Sequence, residues 1–223
     1  MDLIWLIPLC IGAYLVGNIN FSIIVSHIKK NDIRKHSSGN PGSTNMLRMF
    51  GVKWATATLI ADMMKGAIPA LIGVLLFGGW GSDYGIIALY AAGLSAAIGH
   101  CFPVFYKFRG GKGAATMIGI FMVANPILWA IVFVVLFFHF ITWEYGAIVS
   151  FKFALIMGIV EALRHDTNFV AGLLLIGIFV LILITHRKNI IRLLAGTESK
   201  ASTLKKLKNK KYNAQKKEWI KQV

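Results

Sequence analysis

The stretch GAATMIGIFMVANPILWAIVFVVLFFHFITW, residues 113–143, decides how often this chain crosses a membrane. One helix of these 31 residues would be about 46 Å long, well beyond the roughly 30 Å of a bilayer's hydrocarbon core. Asn125 and Pro126 stand near its middle, and both residue types favour a break. The sequence therefore predicts two segments, 113–124 and 126–143. The first is short enough to be either a crossing or a re-entrant half-helix.

The composition of the whole chain is that of an integral membrane protein. Hydrophobic side chains make up 57% of the 223 residues and charged ones only 15%, far from the balance of a soluble domain. A soluble nucleic-acid-binding protein is excluded despite the net charge of +15, and no nucleic acid is expected as a partner. Cys10 and Cys101 lie in apolar runs without ligand-like spacing, so neither a disulfide nor a metal site is predicted.

Charge-poor runs predict the other crossings, because a membrane helix needs about 20 apolar residues. We expect an all-α, polytopic membrane protein with further spans at Leu3–Ile28 and at residues 54–80, 84–106, 145–160 and 167–186. The span 54–80 carries Asp62 and Lys65 three residues apart, on one helix face, where they can pair. With two segments inside 113–143, the prediction is seven transmembrane helices.

Seven crossings bring the basic residues to one side of the membrane. The segments 29–53, 107–112 and 187–223 then share a face and hold all of the 24 Lys and Arg residues except Lys65, Lys152 and Arg164. The positive-inside rule makes that face cytoplasmic, with the N-terminus outside and the C-terminus in the cytoplasm. Residues 1–198 are predicted to form one helical membrane domain, and residues 199–223 a basic cytoplasmic tail lying against anionic lipid.

Three polar segments on this face contain more glycine, hydroxyl, amide and basic residues than simple connecting loops require. They are SSGNPGSTNMLR at residues 37–48, GHCFPVFYKFRGGKGAAT at 99–116 and HRKNIIRLLAGTE at 186–198. Glycine-rich turns let backbone N–H groups approach an anion, and a helix start adds donors and partial positive charge. Each turn alone is compatible with a plain helix connection. Together with Arg48, Lys112, His186 and Arg192 they predict a phosphate site, although the GGKG spacing is not that of a nucleotide P-loop.

The three segments resemble the signature motifs of the bacterial acyl-phosphate:glycerol-3-phosphate acyltransferase family, from about residue 17 to residue 200. The resemblance implies a seven-helix enzyme of the bacterial cell membrane with its active site facing the cytoplasm. It also implies that glycerol 3-phosphate accepts a fatty acyl group from acyl phosphate, giving lysophosphatidic acid for phospholipid biosynthesis. A soluble enzyme that makes the unstable donor is an expected partner. Glu144 stands where the family commonly has an arginine, and Ser37 and Ser43 also depart from its pattern.

The motif residues divide into catalytic and substrate-binding candidates. Ser38, Lys112 and His186 are the catalytic candidates. The GGKG turn is expected to bind the donor phosphate through Gly110, Gly111, Lys112 and Gly113. Contacts to glycerol 3-phosphate, or to a polar centre that both substrates share, are expected from Ser38, Asn40, Thr44, Asn45 and Arg48. Asn189 and Arg192, which follow His186 in the third segment, are the remaining substrate-binding candidates.

Two mechanistic alternatives stay open at this level. His186 could serve as general base for the attacking hydroxyl, or the donor's own phosphate oxygen could take the proton while His186 positions the acceptor. Ser38 as an acyl-accepting nucleophile lacks the usual surrounding triad or elbow. No metal or cofactor is needed, since an acyl phosphate is already activated and basic groups can neutralise both phosphates.

The main competing hypothesis is a transporter for a phosphorylated metabolite or organic anion. Transport sites tend to lie at the bilayer midplane on broken helices, whereas these polar motifs gather on one membrane face. A structural membrane scaffold is a third interpretation, which predicts that the motifs tolerate conservative substitution.

Overall fold

The computed structural model describes residues 2–36 and 38–201, and these residues fold entirely into helices and connecting turns. Helices of the first half are α1 (Leu6–Asn18), α2 (Phe21–Ile28), α3 (Ser43–Phe50), α4 (Val52–Leu76) and α5 (Asp83–Cys101). Those of the second half are α6 (Ala114–Ala124), α7 (Pro126–Trp143), α8 (Gly146–Arg164), α9 (Phe169–Thr185) and α10 (Arg187–Leu194). The prediction of an all-α membrane protein is confirmed.

Five helical segments of the described chain are long and apolar enough to cross a membrane, and a sixth results if α9 and α10, bent by 60°, count as one span. The five are Leu3–Ile28, Val52–Leu76, Asp83–Tyr106, Pro126–Trp143 and Gly146–Arg164. The remaining predicted crossing is α6, whose 11 residues reach only about 16 Å. Seven crossings, and their orientation, therefore stay predictions.

The predicted break inside residues 113–143 is confirmed. Helix α6 ends at Ala124 and α7 begins at Pro126. Between them, the side chain of Asn125 caps α7 by accepting a hydrogen bond from the Leu128 N–H at 3.2 Å. Proline at the first helical position lacks only an N–H that would have no partner in any case.

The first apolar run contains a break that the sequence analysis did not predict. Leu3–Ile28 remains one candidate span, but α1 ends at Asn18 and α2 begins only at Phe21. Asn20 caps α2 by accepting from the Ile23 N–H at 3.2 Å. The carbonyl of Ile19, released from the helix, accepts a hydrogen bond from Lys65 Nζ at 3.0 Å. An internal partner of this kind is what permits irregular backbone at membrane depth.

Helices α4, α5 and α6 pack closely around the interior. Small residues make this possible: a Cβ on Gly119 of α6 would overlap the backbone of Met63 on α4. A Cβ on Gly66 of α4 would likewise overlap the backbone of Thr116. Such close approach replaces the hydrophobic effect as the source of helix association in a bilayer. It fixes α6, and with it the turn that precedes α6.

Glu161 of α8 connects α5, the junction of α6 and α7, and the end of α8, and it was not among the predicted residues. Its fully buried carboxylate accepts hydrogen bonds from Tyr90 Oη at 2.8 Å, Asn125 Nδ2 at 2.9 Å and Arg164 at 2.8 Å. Buried charge is stable only with such partners. The network anchors the break between α6 and α7 against α5 and α8.

Candidate active site

The three polar motifs meet in one pocket, formed at the starts of α3, α6, α8 and α10. Nine of the twelve predicted site residues line it: Ser38, Asn40, Thr44, Asn45, Arg48, Lys112, Gly113, His186 and Asn189. Gly110, Gly111 and Arg192 do not line it. Asp62, His100, Ser150 and Glu198 do, although none was a predicted site residue.

Asn45 organises the first motif. Its buried amide nitrogen donates to the carbonyl oxygens of Asn40, Ile33 and His36 at 3.1, 3.2 and 3.2 Å. These bonds fold the loop before α3 back over the helix start. Asn45 therefore shapes the loop that presents Ser38 and Asn40 to the pocket.

Arg48 binds the C-terminal end of the described chain. Its guanidinium donates to the carbonyl oxygens of Ser199 at 2.9 Å and Lys200 at 3.1 Å. The next residue, Ala201, is fully buried and its N–H donates to the Glu144 carbonyl at 2.9 Å. Residues 199–201, which the sequence analysis assigned to the tail, thus pack against the site. Residues 202–223 lie outside the described residues, so the boundary at residue 199 stays a prediction.

The backbone N–H groups of Gly110 and Gly111 were expected to be available for a phosphate, but in the structure they already have hydrogen-bond acceptors. They donate to the carbonyl oxygens of Cys101 at 3.2 Å and His100 at 3.0 Å, which end α5. A Cβ on Gly111 would overlap the His100 imidazole, and one on Gly110 would overlap the His100 carbonyl. These glycines are needed for close packing of the turn on α5.

Free donors are instead found at the start of α6. Gly113 adopts a left-handed conformation with φ of 81° and no side chain caps the helix. The first-turn amides of a helix have no acceptor within it, and they carry partial positive charge. Ala114 and Ala115, the first two residues of α6, line the pocket beside Lys112.

Lys112 is part of a hydrogen-bonded chain. Its Nζ donates to Asn189 Oδ1, and Asn189 Nδ2 donates to Glu198 Oε1 at 2.7 Å. Arg192 Nε donates to the other oxygen of Glu198, also at 2.7 Å. Burial lowers the pKa of Lys112 to about 8; the charges of Arg192 and Arg48 act in the same direction, and Glu198 opposes them. Arg192 therefore acts through Glu198 rather than at the pocket wall.

His186 lies beyond the end of α9, buried and held in one orientation. Its Nδ1 is 3.0 Å from the Ile182 carbonyl oxygen, which requires a proton on Nδ1 and leaves the lone pair on Nε2. The ring packs edge-on against Phe151. Burial and the nearby Lys112 charge lower the pKa of His186 to about 4. At neutral pH the imidazole is uncharged, accepts hydrogen bonds at Nε2 and is a weak base.

The predicted pair of Asp62 and Lys65 is confirmed and lies under the pocket. Lys65 Nζ is 2.8 Å from Asp62 Oδ1, and both side chains are buried. The same carboxylate oxygen lies 3.7 Å from His100 Nδ1. Asp62 and His100 form the pocket floor, and Gly111 rests on the His100 ring.

An apolar groove lies beside the pocket, between α4, α6, α7 and α8. Its walls include Leu59, Ile118, Phe133, Phe137, Val149 and Phe153. The groove and the polar pocket share Ser43, Thr44, Ala114, Ala115, Gly146 and Ser150. The apolar groove and the cationic polar pocket therefore lie side by side and share a wall. Within residues 2–36 and 38–201, no cluster of three His, Cys, Asp or Glu side chains could hold a metal ion.

Comparison with known proteins agrees with this geometry. Residues 7–196 match the family described as glycerol-3-phosphate acyltransferase. The chain is 40% identical to the glycerol-3-phosphate acyltransferase of Halalkalibacterium halodurans, covering 90% of this chain and 96% of the relative. It is 37% identical to that of Finegoldia magna, covering 90% and 98%.

A solved structure has the same fold. The crystal structure of PlsY (YgiH), an integral membrane glycerol 3-phosphate acyltransferase in its glycerol 3-phosphate form, superposes with a TM-score of 0.81 at 35% identity, covering 91% of this chain and 98% of that one. Its lysophosphatidic acid form gives 0.75 at 34% identity, covering 87% and 94%. The match extends over nearly the full length of both chains, and this protein belongs to the glycerol-3-phosphate acyltransferase family.

Proposed function

We propose that this membrane glycerol-3-phosphate acyltransferase takes its acyl group from an acyl phosphate, at a site facing the cytoplasm of a bacterial cell. The products are lysophosphatidic acid and inorganic phosphate. The observation that carries the proposal is the shared wall of the apolar groove and the polar pocket at the start of α6. A donor with its chain in the groove has its reactive carbonyl beside Ala114 and Ala115.

The start of α6 suits a phosphate leaving group. The first-turn amides and Lys112 provide hydrogen bonds and positive charge where charge develops as the anhydride breaks. Because the mixed anhydride is already activated, direct attack by the acceptor needs no covalent intermediate. Acyl transfer therefore depends on positioning and on neutralising charge.

The acceptor lies opposite, against the first motif. Ser38, Asn40, Thr44 and Arg48 line that side of the pocket and offer hydroxyl, amide and guanidinium donors to glycerol 3-phosphate. Arg48 presents a planar fork, which suits two parallel hydrogen bonds to a phosphate. A phosphate dianion competes well with the neutral carbonyl oxygens of Ser199 and Lys200 that hold it in the free protein.

His186 orients the attacking hydroxyl, and the donor phosphate takes its proton. His186 Nε2 accepts a hydrogen bond from the hydroxyl, but the low pKa of the imidazole makes it a poor proton acceptor. A bond forms between the hydroxyl oxygen and the acyl carbon, and the bond from that carbon to the phosphate oxygen breaks. The departing phosphate gains the proton, so charge and atoms balance without a metal.

The transporter hypothesis loses its basis with family membership. A one-sided site is further supported by the pocket wall, most of which comes from the starts of α3, α6, α8 and α10. A soluble enzyme that makes the acyl phosphate remains part of the proposal, since an unstable donor favours transfer over a short distance.

The donor is tested with the purified protein in proteoliposomes. Acyl phosphate, acyl-CoA and acyl carrier protein are supplied in turn with labelled glycerol 3-phosphate. We expect lysophosphatidic acid only with acyl phosphate, with one inorganic phosphate released per product molecule. Product from acyl-CoA and none from acyl phosphate would overturn the proposal, and uptake of glycerol 3-phosphate without lipid product would restore the transporter hypothesis.

A further inference from the structure

A second cavity lies beside the catalytic pocket and has no role in the mechanism above. The turn between α5 and α6 and the junction of α9 and α10 form its walls. Ser38, Asn40 and Lys112 line both cavities. The two cavities are therefore adjacent, and a small ion in the second cavity is next to the catalytic one.

The charges of the two cavities differ sharply. Arg109, Lys112, Arg187 and Lys188 line the second cavity, and its described wall contains no acidic residue. The catalytic pocket has two cations in its wall, Arg48 and Lys112, but Asp62 and Glu198 accompany them. The second cavity is therefore the more attractive place for a dianion arriving from water.

These cations do not serve the fold through ion pairs. Within the described part of the chain, no carboxylate lies within 4 Å of Arg109, Arg187 or Lys188, and all three side chains are exposed. Arg187 and Lys188 are also the first two residues of α10. Cations in a helix's first turn oppose its dipole. The positions of these charges weaken the helix and strengthen the field in the cavity.

We propose that Arg109, Arg187 and Lys188, together with Lys112, form an anion vestibule that captures glycerol 3-phosphate from the aqueous phase and passes it to the catalytic pocket. A concave surface lined by one sign of charge raises the local concentration of an oppositely charged ion. The donor, with its acyl chain, enters through the apolar groove, so the two substrates approach from different sides. The identity of the captured phosphomonoester rests on the proposed function.

The test is the ionic-strength dependence of kcat/KM for glycerol 3-phosphate in the triple variant Arg109→Gln, Arg187→Gln, Lys188→Gln. Vesicles of zwitterionic phospholipid keep lipid charge out of the measurement. We expect kcat/KM at low salt to fall roughly tenfold while kcat stays within about twofold, and the decline of kcat/KM with added salt to become shallower. A charge-retaining triple variant, Arg109→Lys, Arg187→Lys, Lys188→Arg, keeps the parent's salt dependence.

The matched control is Lys30→Gln, Lys35→Gln, Lys53→Gln, which removes the same net charge from exposed positions outside the vestibule. We expect it to behave like the parent protein. An unchanged salt dependence in the vestibule variant would overturn the proposal, as would an equal loss in the control.

Two further arms separate the remaining explanations. One arm repeats the measurement in vesicles that contain anionic lipid. If the vestibule variant has a defect only in these vesicles, or if it raises KM for the acyl donor instead of the acceptor, the cavity holds a lipid headgroup and the proposal fails. The measurement uses whichever donor supports turnover, so failure of the acyl phosphate assignment leaves it intact. If no donor supports turnover, equilibrium binding of labelled glycerol 3-phosphate to the same variants replaces kcat/KM.

Discussion

The Nζ atom of Lys112 donates a hydrogen bond to Oδ1 of Asn189, a residue 77 positions away in the chain. This bond ties the turn before α6 to the helix that follows α9. It also directs the ammonium group into the polar pocket, where we propose that the two substrates meet. Asn189 thus fixes the position of the ammonium group, whereas burial is the main influence on its pKa.

The activity should decline in alkaline solution because Lys112 loses its charge. Because its pKa is about 8, the Lys112 side chain in the free protein is protonated below that pH and neutral above it. We expect kcat/KM for the acyl donor to fall about tenfold per pH unit above pH 8, and Lys112→Arg to move the fall to higher pH. Lys112→Ala should lower kcat at least 10²-fold at pH 7. A flat profile up to pH 10 would contradict this role.

Arg48→Lys should impair acceptor binding. Nη2 of Arg48 donates to both the Ser199 and Lys200 carbonyl oxygens. An ammonium group at this position cannot offer a phosphate the two parallel hydrogen bonds that a planar guanidinium can. We expect KM for glycerol 3-phosphate to rise about tenfold. Arg34→Lys is the matched control, because Arg34 pairs with Asp32 outside the pocket. Equal KM values in both variants would count against the assignment.

Gly111→Ala should damage the site by displacing the turn. The new methyl group would overlap the buried His100 ring, and such overpacking costs about 1–3 kcal/mol. We expect a lower unfolding temperature in detergent and at least a tenfold loss of turnover. Gly172→Ala is the control: it lies inside α9 with open space around it, so the alanine should be neutral or stabilising by about 0.5–1 kcal/mol. Full activity in Gly111→Ala would show that the turn tolerates displacement.

His186→Asn distinguishes positioning from base catalysis. An asparagine can still hydrogen-bond the acceptor hydroxyl but cannot take its proton. Because the pKa of His186 is about 4, we expect the variant mainly to raise KM for glycerol 3-phosphate and to leave the acid limb of kcat in place. Loss of that limb with both substrates saturating would identify His186 as the base.

Features set by local sequence could be predicted, whereas those set by distant partners could not. The break at Asn125 and Pro126 and the pairing of Asp62 with Lys65 depend on neighbours within one helical turn, and both are confirmed. The amides of Gly110 and Gly111 are taken by carbonyl groups at the end of α5. Only the tertiary packing of the turn reveals this.

Glu161 shows what signal was available and overlooked. A carboxylate within an apolar span is costly unless it has partners, so its presence in α8 indicated a buried network. Its partners Tyr90 and Asn125 lie 71 and 36 residues away, and no spacing rule connects them. Asn189 and Lys112 are likewise 77 positions apart, and no spacing rule connects them.

Direct transfer within one pocket is tested most directly by a single-turnover reaction. Purified protein is mixed with an excess of acyl phosphate labelled in the acyl chain, first without acceptor. Ser38 Oγ accepts a hydrogen bond from the Asn40 N–H at 3.4 Å, and among the described residues it has no hydrogen bond to a base. We therefore expect neither phosphate release nor labelled protein until glycerol 3-phosphate is added, when phosphate and lysophosphatidic acid appear together. A burst of phosphate with one acyl group bound per protein, lost in Ser38→Ala, would contradict direct transfer.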